Sequence, residues 1–213
     1  MGTFKKGILG GFSGKVGTVI GANWRGLDVM RSLPKKSGVS PTLLQVEQRQ
    51  RFAAVMGFLA PIGNLLASYY GSPSGTLSRL NKAVSYHLKH ALMGNSPNFS
   101  IDYTKVVLSK GELIGARNAA VSAPTAGSIQ LDWDDNSGQV FAAADDLLLA
   151  VLYNANKRQF VVEEGLATRQ EGTAHMAIPV EFAGDTLQVW IGFVGSTSAK
   201  AATSVYLGTV QAV

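Results

Sequence analysis

The chain has 213 residues, 46% of them hydrophobic and 15% charged, which excludes disorder throughout and leaves room for one large domain or two small ones. There is no cysteine, so disulfides, thiolate metal sites and cysteine nucleophiles are excluded together. The net charge of +5 conceals an asymmetry: residues 1–110 carry fourteen Lys and Arg against three Asp and Glu, and residues 111–213 carry five against eleven. Two such halves can dock head to tail between copies, or the basic one can meet an anionic partner.

At the start, Lys5 and Lys6 are followed by glycines rather than by an apolar run, so the expectation is a protein made in the cytoplasm without a cleaved signal peptide. Gly10-Gly-Phe-Ser-Gly-Lys15 has some ingredients of a phosphate loop. The pattern fails, because Leu9 stands where the first glycine belongs, Val16 takes the Ser/Thr position and no strand precedes it. Nine glycines fall between Gly2 and Gly38. Gly17-x-x-x-Gly21 matches the small-residue motif of membrane helices, but the segment is too short and too β-branched to span, and close strand packing is the better reading. Lys15 to Trp24 therefore reads as a strand, Arg25-Gly26 as a turn and Leu27 to Leu33 as the returning strand of a hairpin ending at Pro34. Such a hairpin is marginal alone and needs a surface to lie on.

Ser40-Pro41 opens a helix, with Phe52, Val55, Met56, Leu59, Ile62, Leu66 and Tyr69 at three- and four-residue steps. Pro61 should kink or split it and Gly71 should end it. Phe52 to Tyr70 holds nineteen residues without a charge, near the length of a membrane anchor. Pro61, Gly57, Gly63, Asn64 and Ser68 argue instead for a helix buried in the core or at a subunit interface. A second helix is expected over Thr76 to Met93, stopped by Gly94-Asn95. His87 and His90 lie one turn apart on it, a spacing that suits a metal. No further ligand joins them, and they read as part of a solvated basic face with Lys82 and Lys89.

From Ile101 the period changes to two. Strands are expected near residues 105–109, 112–116, 127–133, 147–153, 159–163, 174–179, 186–193 and 205–210, with turn residues between them. The fold class is α+β: a glycine-rich hairpin plus a helical hairpin, then an antiparallel β-sandwich. The expected domains are residues 1–110, a basic assembly region, and residues 111–213, an acidic self-contained sandwich. Ser128-Ile-Gln-Leu-Asp-Trp133 with the following strand at 147–153 resembles the front half of fibronectin type III and immunoglobulin-like modules, which implies a fold and no function.

Asp132-Trp-Asp-Asp-Asn-Ser-Gly138 approaches a calcium loop, but its glycine is one place late and Ala143 stands where a bidentate glutamate belongs. It reads as an acidic turn. No serine, histidine and carboxylate converge on a nucleophilic site, and Glu163 and Glu164, adjacent on a strand, face opposite ways. Neither catalytic residue, cofactor nor metal site is assigned. Lys15, Trp24, Arg25, Arg31, Lys35 and Lys36 gather basic side chains around one aromatic, a set suited to contact with an acidic copy of the chain or with nucleic acid.

The run Gly7 to Gly21, then Trp24-Arg-Gly, Val29-Met-Arg31, Pro34, Gln48-Arg49, Ala167-Thr-Arg169 and Val205-Tyr-Leu-Gly208, resembles an uncharacterised family found in Bacteroidota genomes, domain of unknown function 6266. The resemblance implies no activity and carries over no functional residue. The resulting expectation is a non-enzymatic structural protein that self-assembles into a particle or filament, such as a bacteriophage virion or tail component, with itself as principal partner. The alternative is a nucleic-acid-binding module using the basic half. Membrane contact and a small-molecule substrate are not expected.

Overall fold

A computed structural model describes the chain except Met1, Lys5, Lys6, Ile8, Leu9, Arg25, Lys36, Ser37, Ser74, Thr76 and Val213. It divides into two compact units, residues 1–43 and 44–213.

The first unit is one antiparallel sheet in the order β1 (Thr3–Phe4), β2 (Phe12–Val16), β3 (Val19–Trp24) and β4 (Leu27–Ser32). The expected β3–β4 hairpin is present, with Leu27 opposite Trp24 and Ser32 opposite Val19. The single strand expected from Lys15 to Trp24 is instead broken at Gly17, whose φ of 57° turns the chain between β2 and β3. Gly21 shows why glycine is needed within β3: a Cβ there would overlap the carbonyl oxygen and ring of Phe12.

In the second unit, α1 (Leu43–Leu59) passes through a 3-10 turn at Ala60–Ile62 into α2 (Gly63–Tyr69), the split that Pro61 demands. The helix α3 (Arg79–His90) starts later and ends sooner than its apolar spacing implied. At its start the Ser78 hydroxyl accepts from the Asn81 N–H at 3.2 Å. Leu92 and Met93, expected to be helical, belong instead to a small hairpin of β5 (Leu92–Asn95) and β6 (Asn98–Ile101).

Two sheets follow. One has the order β10 (Gln159–Thr168), β9 (Leu147–Asn154), β12 (Thr186–Val194), β13 (Val205–Gln211); the other has β11 (Thr173–Ala177), β8 (Ser128–Asp134), β7 (Arg117–Thr125). Ile129, Leu131, Trp133, Leu148, Leu152, Val189, Ile191 and Phe193 fill the space between the sheets. The alternate residues Leu149, Val151, Tyr153, Trp190 and Val194 face the other way and pack against Val55, Phe58, Leu59, Leu66 and Val84 of the helices. Phe58 meets Tyr153 edge-on at 5.0 Å and Phe160 at 5.1 Å. The unit thus has three layers, helices on sheet on sheet. This accounts for the unbroken apolar run Leu147-Leu-Leu-Ala-Val-Leu-Tyr153, since a strand covered on both faces needs no polar alternation.

The sandwich is therefore not self-contained. The change of composition at Lys110/Gly111 does not coincide with the edge of a compact unit, because helices from the basic half cover the outer face of a sheet from the acidic half. The strands expected at 105–109 and 112–116 are also replaced. Their chain runs irregularly, touching neighbours through single bridges from Lys110 to Tyr70 and from Leu113 to Ala202. Side chains take over the work of a ladder: the Ser204 hydroxyl accepts from the Leu108 N–H at 2.8 Å, and the Ser109 hydroxyl donates to the Ala202 carbonyl at 2.8 Å.

Candidate functional site

Lys15, Trp24 and Arg31 come together on the N-terminal sheet. Residues directly opposite one another in antiparallel strands share a face. Lys15 stands opposite Ile20 and Ile20 opposite Arg31, so both cations lie on one row; Ala22 opposite Val29 and Trp24 opposite Leu27 continue the same face. It therefore grades from a cationic end to an apolar and aromatic end. Trp24 is 50% exposed and Leu27 57%. Lys35 follows β4 and joins Val19, Met30, Arg31 and Leu33 around a groove of about 480 Å³. Arg25 and Lys36 lie outside the described residues.

All six residues of β4 are exposed, Met30 at 73%, and β4 is an edge of its sheet. An edge strand presents unpaired backbone groups, and natural sheets usually blunt it with charge or proline. Here Arg31 and Asp28 are its charges, and Asp28 already accepts from the Asn23 side-chain amide at 2.9 Å. Among the described residues of this unit only Gly21 is buried. The sheet has no hydrophobic core of its own, although Val16, Val19, Leu27, Val29 and Met30 would supply one if covered. Sequence reasoning missed Leu27, Val29 and Met30 as surface residues. Their signal was available: Leu27, Val29 and Met30 put apolar side chains on both faces of one strand.

The remaining candidates have local roles. His87 is fully buried rather than on a solvated basic face as the sequence implied. Its Nε2 accepts from the Val107 N–H at 3.3 Å, so Nδ1 carries the proton and donates to the Ala83 carbonyl at 2.8 Å. Burial pushes its pKa down, opposed by the hydrogen bond to Ala83. His90 is exposed. The acidic turn disperses its carboxylates: Asp132 accepts from Thr173 and Gln130, Asp134 from Asn118, and Asp135 from the Ser137 N–H. Among the described residues no group of three or more His, Asp or Glu side chains is placed to hold a metal. Glu164 accepts from the Tyr69 hydroxyl at 3.0 Å, and Glu163 lies on the opposite side of β10. Leu43–Tyr69 is long and apolar enough to cross a membrane by length and composition, and a third of its most apolar stretch is buried within the protein.

Arg169 heads the largest buried polar network. Its guanidinium donates to Asp146 at 2.8 and 3.1 Å, to the Asn136 side chain at 2.7 Å and to the Ile114 carbonyl at 3.0 Å, while lying 4.0 Å from the centre of the Phe193 ring. The Trp133 indole donates to the Arg169 carbonyl at 2.8 Å. Each of the three guanidinium nitrogens donates to a partner inside the protein, and the side chain is fully buried, so the network is structural.

A family model described as a family of unknown function, DUF6266, matches residues 11–208. No curated protein matches the chain. Among solved structures, the fn3 domain of human collagen alpha-1(XX) aligns with 13% identity and a TM-score of 0.35, covering 47% of this chain and 86% of that one. The fn3 domain of human contactin 1 aligns with 13% identity and a TM-score of 0.33, covering 49% and 84%.

Proposed function

The chain belongs to DUF6266, a family of unknown function, and from that premise we propose that it is a non-enzymatic structural subunit that self-associates through its N-terminal sheet. The observation that carries this reading is a four-stranded sheet with exposed apolar side chains on both faces, a fully exposed edge strand and, among the described residues, no buried side chain of its own. Such a sheet gains its missing core from a surface supplied by another copy. Charge favours the pairing, because the basic row of Lys15 and Arg31 is complementary to the acidic second half of a neighbouring chain. A heterologous contact of this kind repeats, giving a ring or an open filament, and a bacteriophage virion or tail is a setting that uses such subunits.

Light scattering at high protein concentration and low salt tests this. The expected result is a mass well above the monomer that falls as salt is raised; a monomer throughout would overturn it.

A second reading, nucleic-acid binding, is favoured by one specific arrangement: Trp24 stands on the same face as Lys15 and Arg31, so a base can stack while phosphates meet the cations. Titration against single-stranded DNA and RNA decides it. Binding should weaken steeply with salt and with Arg31→Glu, and a flat titration removes the reading.

A further inference from the structure

A concave polar pocket of about 290 Å³ lies in the second compact unit, lined by Arg79 at the start of α3, by Lys110, Gly111 and Glu112, by Ser72 and by Lys200. Its walls are fixed by main chain. Gly71 N–H donates to the Lys110 carbonyl at 2.6 Å, Lys110 N–H to the Tyr69 carbonyl at 2.9 Å, and Leu113 N–H to the Ala201 carbonyl at 3.1 Å. Gly111 packs so tightly that a Cβ would overlap the Ala201 carbonyl. The pocket is therefore pre-formed where three separate segments of chain are tied together.

Its charges are poorly compensated. The Arg79 guanidinium donates to the Ala67 and Ser68 carbonyls at the end of α2, so backbone dipoles rather than a carboxylate hold it in place. Lys110 Nζ lies 5.9 Å from the Tyr86 ring centre. Among the described residues neither Arg79 nor Lys110 has an ion-pair partner, and Lys200, whose Nζ lies 5.7 Å from the Phe141 ring centre, pairs with exposed Glu112 at 3.6 Å, a pair of little strength. Three cations against one carboxylate leave two net positive charges in one small concavity.

We propose that this pocket binds a phosphate group in its dianionic form, as inorganic phosphate or a phosphate monoester. Charge decides the ligand class. A monoester carries roughly −1.5 to −2 at pH 7, which matches the pocket's surplus, whereas a carboxylate or a phosphodiester brings one negative charge and leaves a cation uncompensated. Arginine and lysine donors with the Ser72 hydroxyl suit tetrahedral phosphate oxygens. The lining residues all belong to residues 44–213, and the proposal does not rest on self-association.

Thermal unfolding of the full chain, titrated with inorganic phosphate, glycerol 3-phosphate or chloride at matched ionic strength, tests it. Either phosphate compound should raise the midpoint saturably and chloride should not. Tighter binding of the inorganic ion identifies free phosphate as the ligand, tighter binding of the ester identifies a phosphorylated molecule, and both results support the pocket. Lys110→Ala with Lys200→Ala, both at exposed positions, should weaken binding roughly tenfold or more, the loss of at least one charge-assisted hydrogen bond. Glu112→Gln should tighten it, because the opposing charge is removed. An equal response to chloride, unchanged affinity in the lysine variant, or weaker binding after Glu112→Gln would overturn the proposal. Tighter binding of a short oligonucleotide lacking a terminal phosphate would do the same.

Discussion

At 0% exposure, Arg169 is held by three partners and stacked on a fourth, which makes its loss costly to the fold. Replacing it by methionine keeps much of the volume but leaves Asp146 buried without its cation, the costly way to break such a pair. Arg169→Met should cost about 3 to 5 kcal/mol and lower the unfolding midpoint by about 10 °C or more, read by calorimetry. Arg169→Lys should also destabilise, since an ammonium cannot reach Asp146, Asn136 and the Ile114 carbonyl from one planar group. A midpoint unchanged in both variants would show that the network contributes nothing net. His87 makes a prediction about pH. Its folded pKa lies below the ordinary value of 6.5, so the unfolded chain takes up a proton that the folded chain refuses once the pH drops under about 6.5. Stability should be full above that pH and fall between 6.5 and 5.5, before ordinary carboxylates titrate. Urea unfolding at the two ends of that window should show a clear decline, and His87→Gln should flatten it.

The elements divide by how local their cause is. Helix splitting at Pro61, the β3–β4 hairpin and most of the sandwich strands were legible because each rests on nearby residues: a proline, a turn, a two-residue alternation. What was not legible depends on partners distant in sequence. Val106 and Leu108 alternate like a strand, yet the Leu108 and Ser109 N–H groups donate to the Ser204 hydroxyl, almost a hundred residues away, and the Val106 N–H donates to the Tyr103 carbonyl. Arg117–Thr125 forms β7 despite its alanines and Pro124, because β8 and the sandwich core order it. The candidate surface was half visible, since its cations and Trp24 are readable one by one while their shared row follows from register. The buried place of His87 and the meeting of Arg79, Lys110 and Lys200 left no spacing signal at all. At this scale Gly21 is the informative position. Gly21→Val should disrupt β2–β3 pairing by forcing Phe12 away and should abolish self-association, while circular dichroism of the helices and the main unfolding transition stay unchanged. Loss of the main transition would show that the first unit is not separable.

For the whole molecule, the contact division and the compositional division make opposite predictions about truncation. Residues 111–213 alone would expose the outer face of the larger sheet, with Leu149, Val151, Tyr153 and Trp190 stripped of the helices. That fragment should aggregate or fail to fold. Residues 44–213 keep both cores and should give a soluble, cooperatively unfolding protein. Folding of the shorter fragment as a stable monomer would restore the boundary at residue 110. The charge asymmetry then has a different physical meaning from a domain boundary: a single packed body joins the helical layer to the acidic sandwich, and the N-terminal sheet contributes its own basic surface.

Strands β9 and β12, sealed by helices on one side and by the second sheet on the other, also set the clock of the molecule. An amide there meets solvent only when both cores open together, so its hydrogen exchanges with deuterium on the timescale of complete unfolding. The outward amides of β4 have nothing to wait for and exchange at once in the monomer. When copies associate through that edge, its exchange slows, so a single deuterium labelling run reads the stability of the body from β9 and the occupancy of the edge from β4.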